Sequence, residues 1–133
     1  MDDYLEQILH LIEAKGYARA VDISKNLGIS QASVTNMLRK LDSEGLVKHE
    51  KYRGTVLTEE GHRIARAIIE RHETLTRFLR LFRLDEDTIY RDVEGMEHHV
   101  SRPTLAVIRA IADTLEANPA LLEEARKKID LQA

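Results

Sequence analysis

The stretch ISQASVTNMLRKLDSEGLVKHEKYRGTVLT, residues 29–58, changes its hydrophobic period halfway along and so decides the fold. In its first half, apolar residues recur at helical spacing, with Ser30 at the N-cap and Gly45 after the last turn. The stripe that this helix should bury consists of Val34, Met37, Leu38 and Leu41. In its second half, apolar and polar residues alternate on both sides of Arg53, which predicts a small hairpin over residues 46–57. The stretch therefore predicts a helix followed by a two-stranded wing.

Two further helices are predicted before this stretch. Helical spacing indicates a first helix over residues 3–15 that stops at Gly16, and a second over about 18–26 that breaks at Gly28. The inward face of the second helix should consist of Val21, Ile23 and Leu27. Helix, helix, turn, helix and wing is the order of a winged helix-turn-helix, whose last helix enters the major groove of DNA.

The exposed face of the third predicted helix carries short polar and basic side chains. Base edges or the groove are the expected partners of Gln31, Ser33, Thr35 and Asn36, and phosphates those of Arg39, Lys40, Lys51 and Arg53. Between residues 31 and 56, five Lys or Arg stand against three acids, which is a modest basic excess. A solvated face on a helical adaptor module is the alternative interpretation.

Helical patterns dominate the rest of the chain. A long helix is expected from an N-cap at Thr58 to about Phe82, then one over residues 87–100, and two more near 102–117 and 119–130. The core stripe of the helix over residues 87–100 should consist of Ile89, Val93, Met96 and Val100. The fold class is therefore mainly α. The predicted division is a DNA-binding domain over residues 1–60 and an all-helical domain over residues 61–133.

Composition narrows the classes of protein that this chain can be. Its 133 residues suffice for one domain or two small units, and 43% apolar against 32% charged residues is typical of a soluble protein. It has no cysteine, which excludes disulfides, zinc-thiolate sites and iron–sulfur clusters. Since no apolar run is long enough for a membrane span and the N-terminus is acidic, we expect a cytoplasmic protein with no membrane partner.

A second group of residues is suited to binding a metal ion. Its carboxylates and imidazoles are Asp3 and Glu6 on the first helix, His72 on the long helix, and Glu94, Glu97 and His98 in DVEGMEHH, residues 92–99. Like charges one helical turn apart repel, so a bound ion would offset that cost, although a solvated helix face is the commoner explanation. Gly95 favours the ion, because mid-helix glycine costs about 1 kcal/mol against alanine and lets the peptide, with the Glu94 carbonyl, approach a cation.

Several of these motifs resemble the diphtheria toxin repressor family, most closely its manganese-sensing branch. The similarity covers nearly the whole chain, in D-x-x-E at residues 3–6, GYARAVDIS, SVTNMLRKLD, EKYRGTVLTEEG, RHETLTRFL and DVEGMEHH. The resemblance implies a metal-dependent transcriptional repressor that binds operator DNA as a homodimer and controls manganese uptake. The metal ligands that it implies are Asp3, Glu6, His72, Glu94, Glu97 and His98.

The chemistry of this ligand set suits manganese. Its carboxylates would balance two divalent cations per subunit, and hard oxygen with imidazole is a set that Mn²⁺ accepts. In the iron-sensing relatives, a methionine and a cysteine occupy the positions that match Asp3 and Glu94, which here are carboxylates. The resemblance thus favours manganese over iron.

Alternatives remain both for the ligands of the site and for the function of the chain. Within the site, His10 shares a stripe with Asp3 and Glu6, whereas His99 points about 100° away from His98 and is a poorer ligand. The chain could be a winged-helix regulator that responds to an organic ligand. A di-metal carboxylate enzyme is less favoured, because such bundles carry two E-x-x-H motifs, whereas the sequence contains only one, from Glu59 to His62.

Overall fold

The structure is a computed structural model that describes residues 2–52 and 54–130, apart from the side chains of Asp2 and Asp130. Along these residues the elements are α1 (Asp2–Lys15), α2 (Ala20–Leu27), α3 (Gln31–Ser43), β1 (Val47–Glu50), β2 (Gly54–Leu57), α4 (Glu59–Arg80), α5 (Glu86–Met96), α6 (Arg102–Glu116) and α7 (Pro119–Asp130). The predicted fold class, mainly helical with a small wing after the third helix, is confirmed. None of the described helices has both the length and the apolar composition needed to cross a membrane.

The third helix and the wing follow their sequence signals closely. Ser30 caps α3 by accepting a hydrogen bond from the amide of Ser33 at 3.1 Å. The strands β1 and β2 pair antiparallel, from Val47 opposite Leu57 to Glu50 opposite Gly54. Both halves of the quoted stretch therefore form the predicted elements.

The second helix differs from its prediction in two ways. It begins at Ala20 rather than near Ala18, because the Ala18 carbonyl accepts a hydrogen bond from the Thr55 amide of β2 at 2.8 Å. Val21 is 49% exposed, so its predicted inward position is wrong. The buried side is centred on Ile23, and Val21 lies two residues away, about 200° around the helix.

The chain forms two compact units, Met1–Ile69 and Glu70–Ala133, each with its own apolar core. The first core includes Leu5, Ile8, Leu9, Ile23, Val34 and Leu41, and the second consists of Leu75, Ile89, Val93 and Leu105. Helix α4 contributes residues to both units. The domain boundary between residues 60 and 61 stays a prediction.

The long helix starts where it was expected to start. The hydroxyl of Thr58 accepts a hydrogen bond from the Gly61 amide at 3.1 Å and donates one to the Gly45 carbonyl at 2.7 Å. A Cβ atom on Gly61 would lie 1.9 Å from the Leu46 carbonyl oxygen. Only glycine allows this first turn to lie so close to the loop before the wing.

The fifth helix ends four residues before its predicted end at Val100. It stops at Met96, Glu97 is its C-cap, and the amides of His99 and Val100 both donate to the Met96 carbonyl at 3.0 Å. The next helix then begins at the Ser101 N-cap, whose hydroxyl accepts from the Thr104 amide at 3.3 Å. The prediction of one continuous helix through residues 97–100 is therefore wrong.

Candidate metal centre and DNA-binding surface

Three of the predicted metal ligands lie together in the second unit. They are His72 on α4, Glu94 in the last turn of α5 and Glu97 at its C-cap. Each offers one ligand atom, and these atoms all lie within 4.8 Å of one another. The Nδ1 atom of His72 contacts Oε1 of Glu97 directly. Folding thus brings an imidazole together with two carboxylates that lie more than twenty residues further along the sequence.

The geometry of this group fits a divalent cation. Hard cations hold their ligands at about 2.1–2.5 Å, so two atoms on opposite sides of one ion are separated by roughly 4–5 Å. A separation within 4.8 Å therefore lets the three atoms share one ion with small side-chain adjustments. The side chains of His72 and Glu97 are 38% and 19% exposed, and Glu94 is exposed, so an ion could enter from solvent.

The backbone at the end of α5 offers a further oxygen. The Glu97 amide donates to Val93, and the next two backbone bonds converge on Met96, so no amide among residues 2–52 and 54–130 donates to the Glu94 carbonyl. A Cβ on Gly95 would meet nothing within 4 Å, so packing within the described chain does not require this glycine. Its role in bringing the peptide to an ion stays a prediction.

The other predicted ligands are not part of this three-residue group. Asp3 and Glu6 lie one turn apart on α1 in the first unit, where Asp3 is exposed and Glu6 is partly buried. His98 is exposed in the turn after α5. The side chain of His72 is 38% exposed and contacts the carboxylate of Glu97.

One residue beside this group, Arg71, has no motif in the sequence that predicts its contacts. Arg71, the neighbour of His72, donates from Nη1 to the carbonyls of Glu97 and Val100 at 2.9 and 3.0 Å. Its acceptors lie more than twenty residues away, so no local pattern could have identified them. An arginine directly before a candidate ligand was the only available hint.

The predicted DNA-contacting face is exposed on α3. The exposed side chains are those of Gln31, Ser33, Thr35, Asn36, Arg39 and Lys40. Ser33 also takes part in the cap, because its hydroxyl accepts from Ser30 at 3.0 Å. Within the described part of the chain, the side chains of Thr35, Asn36, Arg39 and Lys40 have no hydrogen-bond or ion-pair partner, so they are available to an outside ligand.

The tip of the wing is basic and aromatic. Lys51 is exposed, and its ammonium lies 5.4 Å from the centre of the Tyr52 ring, which is itself 81% exposed. The guanidinium of Arg19 donates to the Tyr52 carbonyl at 3.4 Å. The predicted phosphate contact Arg53 lies outside the described residues.

Comparison with known proteins identifies the family. The model described as "Iron dependent repressor, N-terminal DNA binding domain" matches residues 1–55, and "Iron dependent repressor, metal binding and dimerisation domain" matches residues 58–124. The chain belongs to the iron-dependent repressor family. This result confirms the resemblance on which the site was predicted. A member of this repressor family is a metal-dependent regulator of transcription, with a DNA-binding segment followed by a metal-binding segment.

Curated relatives and a solved structure agree with this assignment. The HTH-type transcriptional regulator MntR of Lysinibacillus sphaericus (strain C3-41) is 44% identical over 93% of this chain and 89% of that protein. The regulator of the same name from Geobacillus kaustophilus (strain HTA426) is 54% identical over 76% of this chain and 72% of that protein. These names confirm the prediction of a regulator rather than an enzyme.

The solved structure of the manganese regulator SloR has the same fold. It aligns with a TM-score of 0.73 and 27% identity over 84% of this chain and 53% of that chain. This repressor-family chain thus spans about half the length of that solved relative.

Proposed function

We propose that this protein is a manganese-responsive repressor that binds operator DNA as a homodimer and controls genes of manganese uptake. The observation that carries the proposal is the gathering of His72, Glu94 and Glu97 within 4.8 Å, because this oxygen and imidazole set suits Mn²⁺. Relatives named MntR and a solved relative named a manganese regulator support the choice of metal.

The proposed site holds two ions per subunit. Its ligands are Asp3, Glu6, His72, Glu94, Glu97 and His98. Charge supports this number, since the carboxylates in the set balance two divalent cations, whereas one ion would leave an excess of negative charge. Glu6 and Glu97 are the proposed bridging ligands, because each lies centrally in its own sequence cluster.

The proposed regulation rests on repulsion between carboxylates. In this proposal, Asp3 and Glu6 of the first unit would repel Glu94 and Glu97 of the second unit when no metal is bound, and the first unit would then move freely against the dimer. Bound Mn²⁺ would neutralise these charges and hold both sets of ligands together. The two α3 helices of the dimer then keep one spacing, which lowers the ordering entropy lost on binding DNA.

The proposed DNA contacts divide between positioning and reading. Gln31, Ser33, Thr35 and Asn36 are placed at base edges or in the groove, and Arg39, Lys40, Lys51 and Arg53 at phosphates. Support comes from the exposure of the α3 side chains in the described structure.

The decisive experiment measures DNA binding by the full chain with and without Mn²⁺. Fluorescence anisotropy should show tighter binding to the region upstream of a manganese-transporter gene when Mn²⁺ is present, by about 5- to 150-fold. Random DNA of equal length and Mg²⁺ in place of Mn²⁺ are the controls. Equal affinity with and without Mn²⁺ would refute the proposal.

A matched pair of variants tests the site itself. Glu94→Gln removes a carboxylate from the three-residue group, whereas Glu124→Gln removes an exposed carboxylate from α7. The first should lose most of the Mn²⁺ effect on DNA affinity, and the second should keep it. If both variants keep it, the metal responsible for regulation binds elsewhere.

A further inference from the structure

We infer that Arg71 is a positioning residue of the metal centre, because it holds the C-terminal end of α5 in the shape that presents Glu97 to the ion. The inference rests on the proposed function, since it assumes that the group of His72, Glu94 and Glu97 binds metal. It assigns a role to a side chain that is not itself a ligand.

The contacts of Arg71 lie at a helix end that needs a donor. Carbonyls in the last turn of a helix have no intrahelical partner, and a cationic side chain near that end satisfies them favourably. Arg71 Nη1 donates to the Glu97 carbonyl at 2.9 Å and to the Val100 carbonyl at 3.0 Å. No backbone amide in residues 2–52 and 54–130 donates to either carbonyl, so the guanidinium supplies one hydrogen bond to the C-cap residue Glu97 and another to Val100, between α5 and α6.

Consecutive residues of α4 thereby hold both ends of Glu97. Arg71 binds its carbonyl oxygen, and His72 contacts its carboxylate. The hydrogen bond from Arg71 restricts the backbone of Glu97, and the contact with His72 keeps its carboxylate beside the imidazole. Ligands that are held in place before the ion arrives bind it more tightly, and loss of such support typically weakens metal affinity 10- to 100-fold.

The positive charge of Arg71 and its positioning of Glu97 should change metal affinity in opposite directions when Arg71 is replaced. The two effects can therefore be told apart. A guanidinium beside the ligand group repels an incoming cation, so Coulomb forces alone predict tighter metal binding when the charge is removed. Positioning predicts weaker binding for the same change. The sign of the effect therefore decides which contribution is larger.

The test compares Arg71→Gln and Arg71→Lys with the matched control Arg77→Gln. Arg77 also lies on α4 and also donates from Nη1 to two acceptors, Asp113 and Glu116, but about 9 Å further along the helix. Free Mn²⁺ is measured by electron paramagnetic resonance on the full chain, at a temperature where circular dichroism shows every variant folded. Measuring at that temperature separates a change in metal affinity from a loss of folded protein.

We expect Arg71→Gln to bind Mn²⁺ about 10- to 100-fold more weakly than the wild type. Arg71→Lys should recover part of that affinity, because the ammonium can still donate to one of the two carbonyls. Arg77→Gln should bind as the wild type does. Amide exchange of residues 97–100 in the metal-free chain should speed up in Arg71→Gln and stay unchanged in Arg77→Gln.

Two results would overturn the inference without touching the proposed function. One is Mn²⁺ binding by Arg71→Gln that is as tight as, or tighter than, that of the wild type. The other is an equal loss in Arg77→Gln, which would show that the loss does not depend on the contacts of Arg71 with the end of α5. If the wild type itself binds no Mn²⁺, the proposed function fails and the inference fails with it.

Discussion

Among single residues, two helical glycines face opposite surroundings. A Cβ on Gly61 would lie 1.9 Å from the Leu46 carbonyl oxygen, whereas a Cβ on Gly95 would meet nothing within 4 Å. Neither has a positive φ, so the contrast is one of packing rather than of backbone conformation. One glycine is required by the fold of the first unit, and the other is not required by its own unit.

This contrast predicts opposite effects of alanine on stability. Gly61→Ala must push α4 away from Leu46, and overpacking of this kind typically costs about 1–3 kcal/mol. Gly95→Ala should raise the free energy of unfolding of the metal-free chain by up to about 1 kcal/mol, through helix propensity alone. Urea unfolding followed by circular dichroism measures both. A destabilised Gly95→Ala would mean that its side of α5 is already covered in the metal-free protein.

Among the elements, α5 begins with an acidic cap whose charge links stability to pH. The Asp85 carboxylate accepts from the Thr88 amide at 2.8 Å and from its hydroxyl at 2.9 Å. The backbone hydrogen bond first, and the hydroxyl second, lower the pKa of Asp85 below its ordinary value. Since the folded pKa is depressed, the stabilisation is complete above the unfolded pKa of about 3.9 and is lost as the pH falls through the folded value.

Asp85→Asn should therefore change the pH dependence of unfolding. Asparagine can still cap the helix but cannot gain or lose the charge. The difference in unfolding free energy between wild type and variant should be largest at neutral pH and should shrink as the pH falls below about 4, through the lowered folded pKa of Asp85. Urea titrations at several pH values measure it. A difference that does not vary with pH would show that the carboxylate charge contributes nothing to the cap.

The wing makes a second prediction about elements. Lys51 is exposed at its tip, so Lys51→Ala should weaken operator and random DNA alike. Each lost phosphate contact should reduce the slope of log affinity against log salt by about 0.9. Lys127→Ala, on α7, is the matched control and should leave the slope unchanged. An unaltered slope for Lys51→Ala would mean that the wing tip does not contact the DNA backbone.

The elements also show which parts of the fold a sequence can predict. The cap at Ser30, the turn at Gly45 and the change of period depend on neighbouring residues, so α3 and the wing formed as predicted. The start of α2 depends instead on Ala18 pairing with β2. The end of α5 adjoins carbonyls held by Arg71 of α4. Long-range contacts of this kind leave no local pattern.

The same distinction applies to the candidate site of the whole molecule. Residue types and the family resemblance were enough to propose Asp3, Glu6, His72, Glu94, Glu97 and His98. They could not show that folding gathers His72 with Glu94 and Glu97, or that His98 follows the end of α5. Packing between α4 and α5, rather than spacing in the sequence, decides which side chains meet.

The proposed function links metal binding to DNA binding through the dimer. Tyr90 on α5 and Val107 and Ile111 on α6 are exposed apolar side chains of the second unit, at 65%, 56% and 44%. The family model that matches residues 58–124 describes a dimerisation domain, so a second copy would bury surface of this kind. We expect α4 and α5 to form most of the contact. Two α3 helices held at a fixed spacing would then read two half-sites together.

This link leads to a prediction about the whole molecule. If Mn²⁺ raises the affinity for operator DNA by some factor, operator DNA must raise the affinity for Mn²⁺ by the same factor. Titrating Mn²⁺ into the full chain with and without operator DNA measures one factor, and DNA titrations with and without Mn²⁺ measure the other.

In Glu97→Ala both factors should fall towards one, because the carboxylate that contacts His72 is gone. In Glu124→Ala both should stay at the wild-type value, since that exposed carboxylate lies on α7 outside the ligand group. Amide exchange of residues 3–15 should slow with Mn²⁺ in the wild type and not in Glu97→Ala, because α1 carries Asp3 and Glu6. A Glu97→Ala chain whose DNA binding remains fully dependent on Mn²⁺ would show that the ions regulating the repressor are held by other residues.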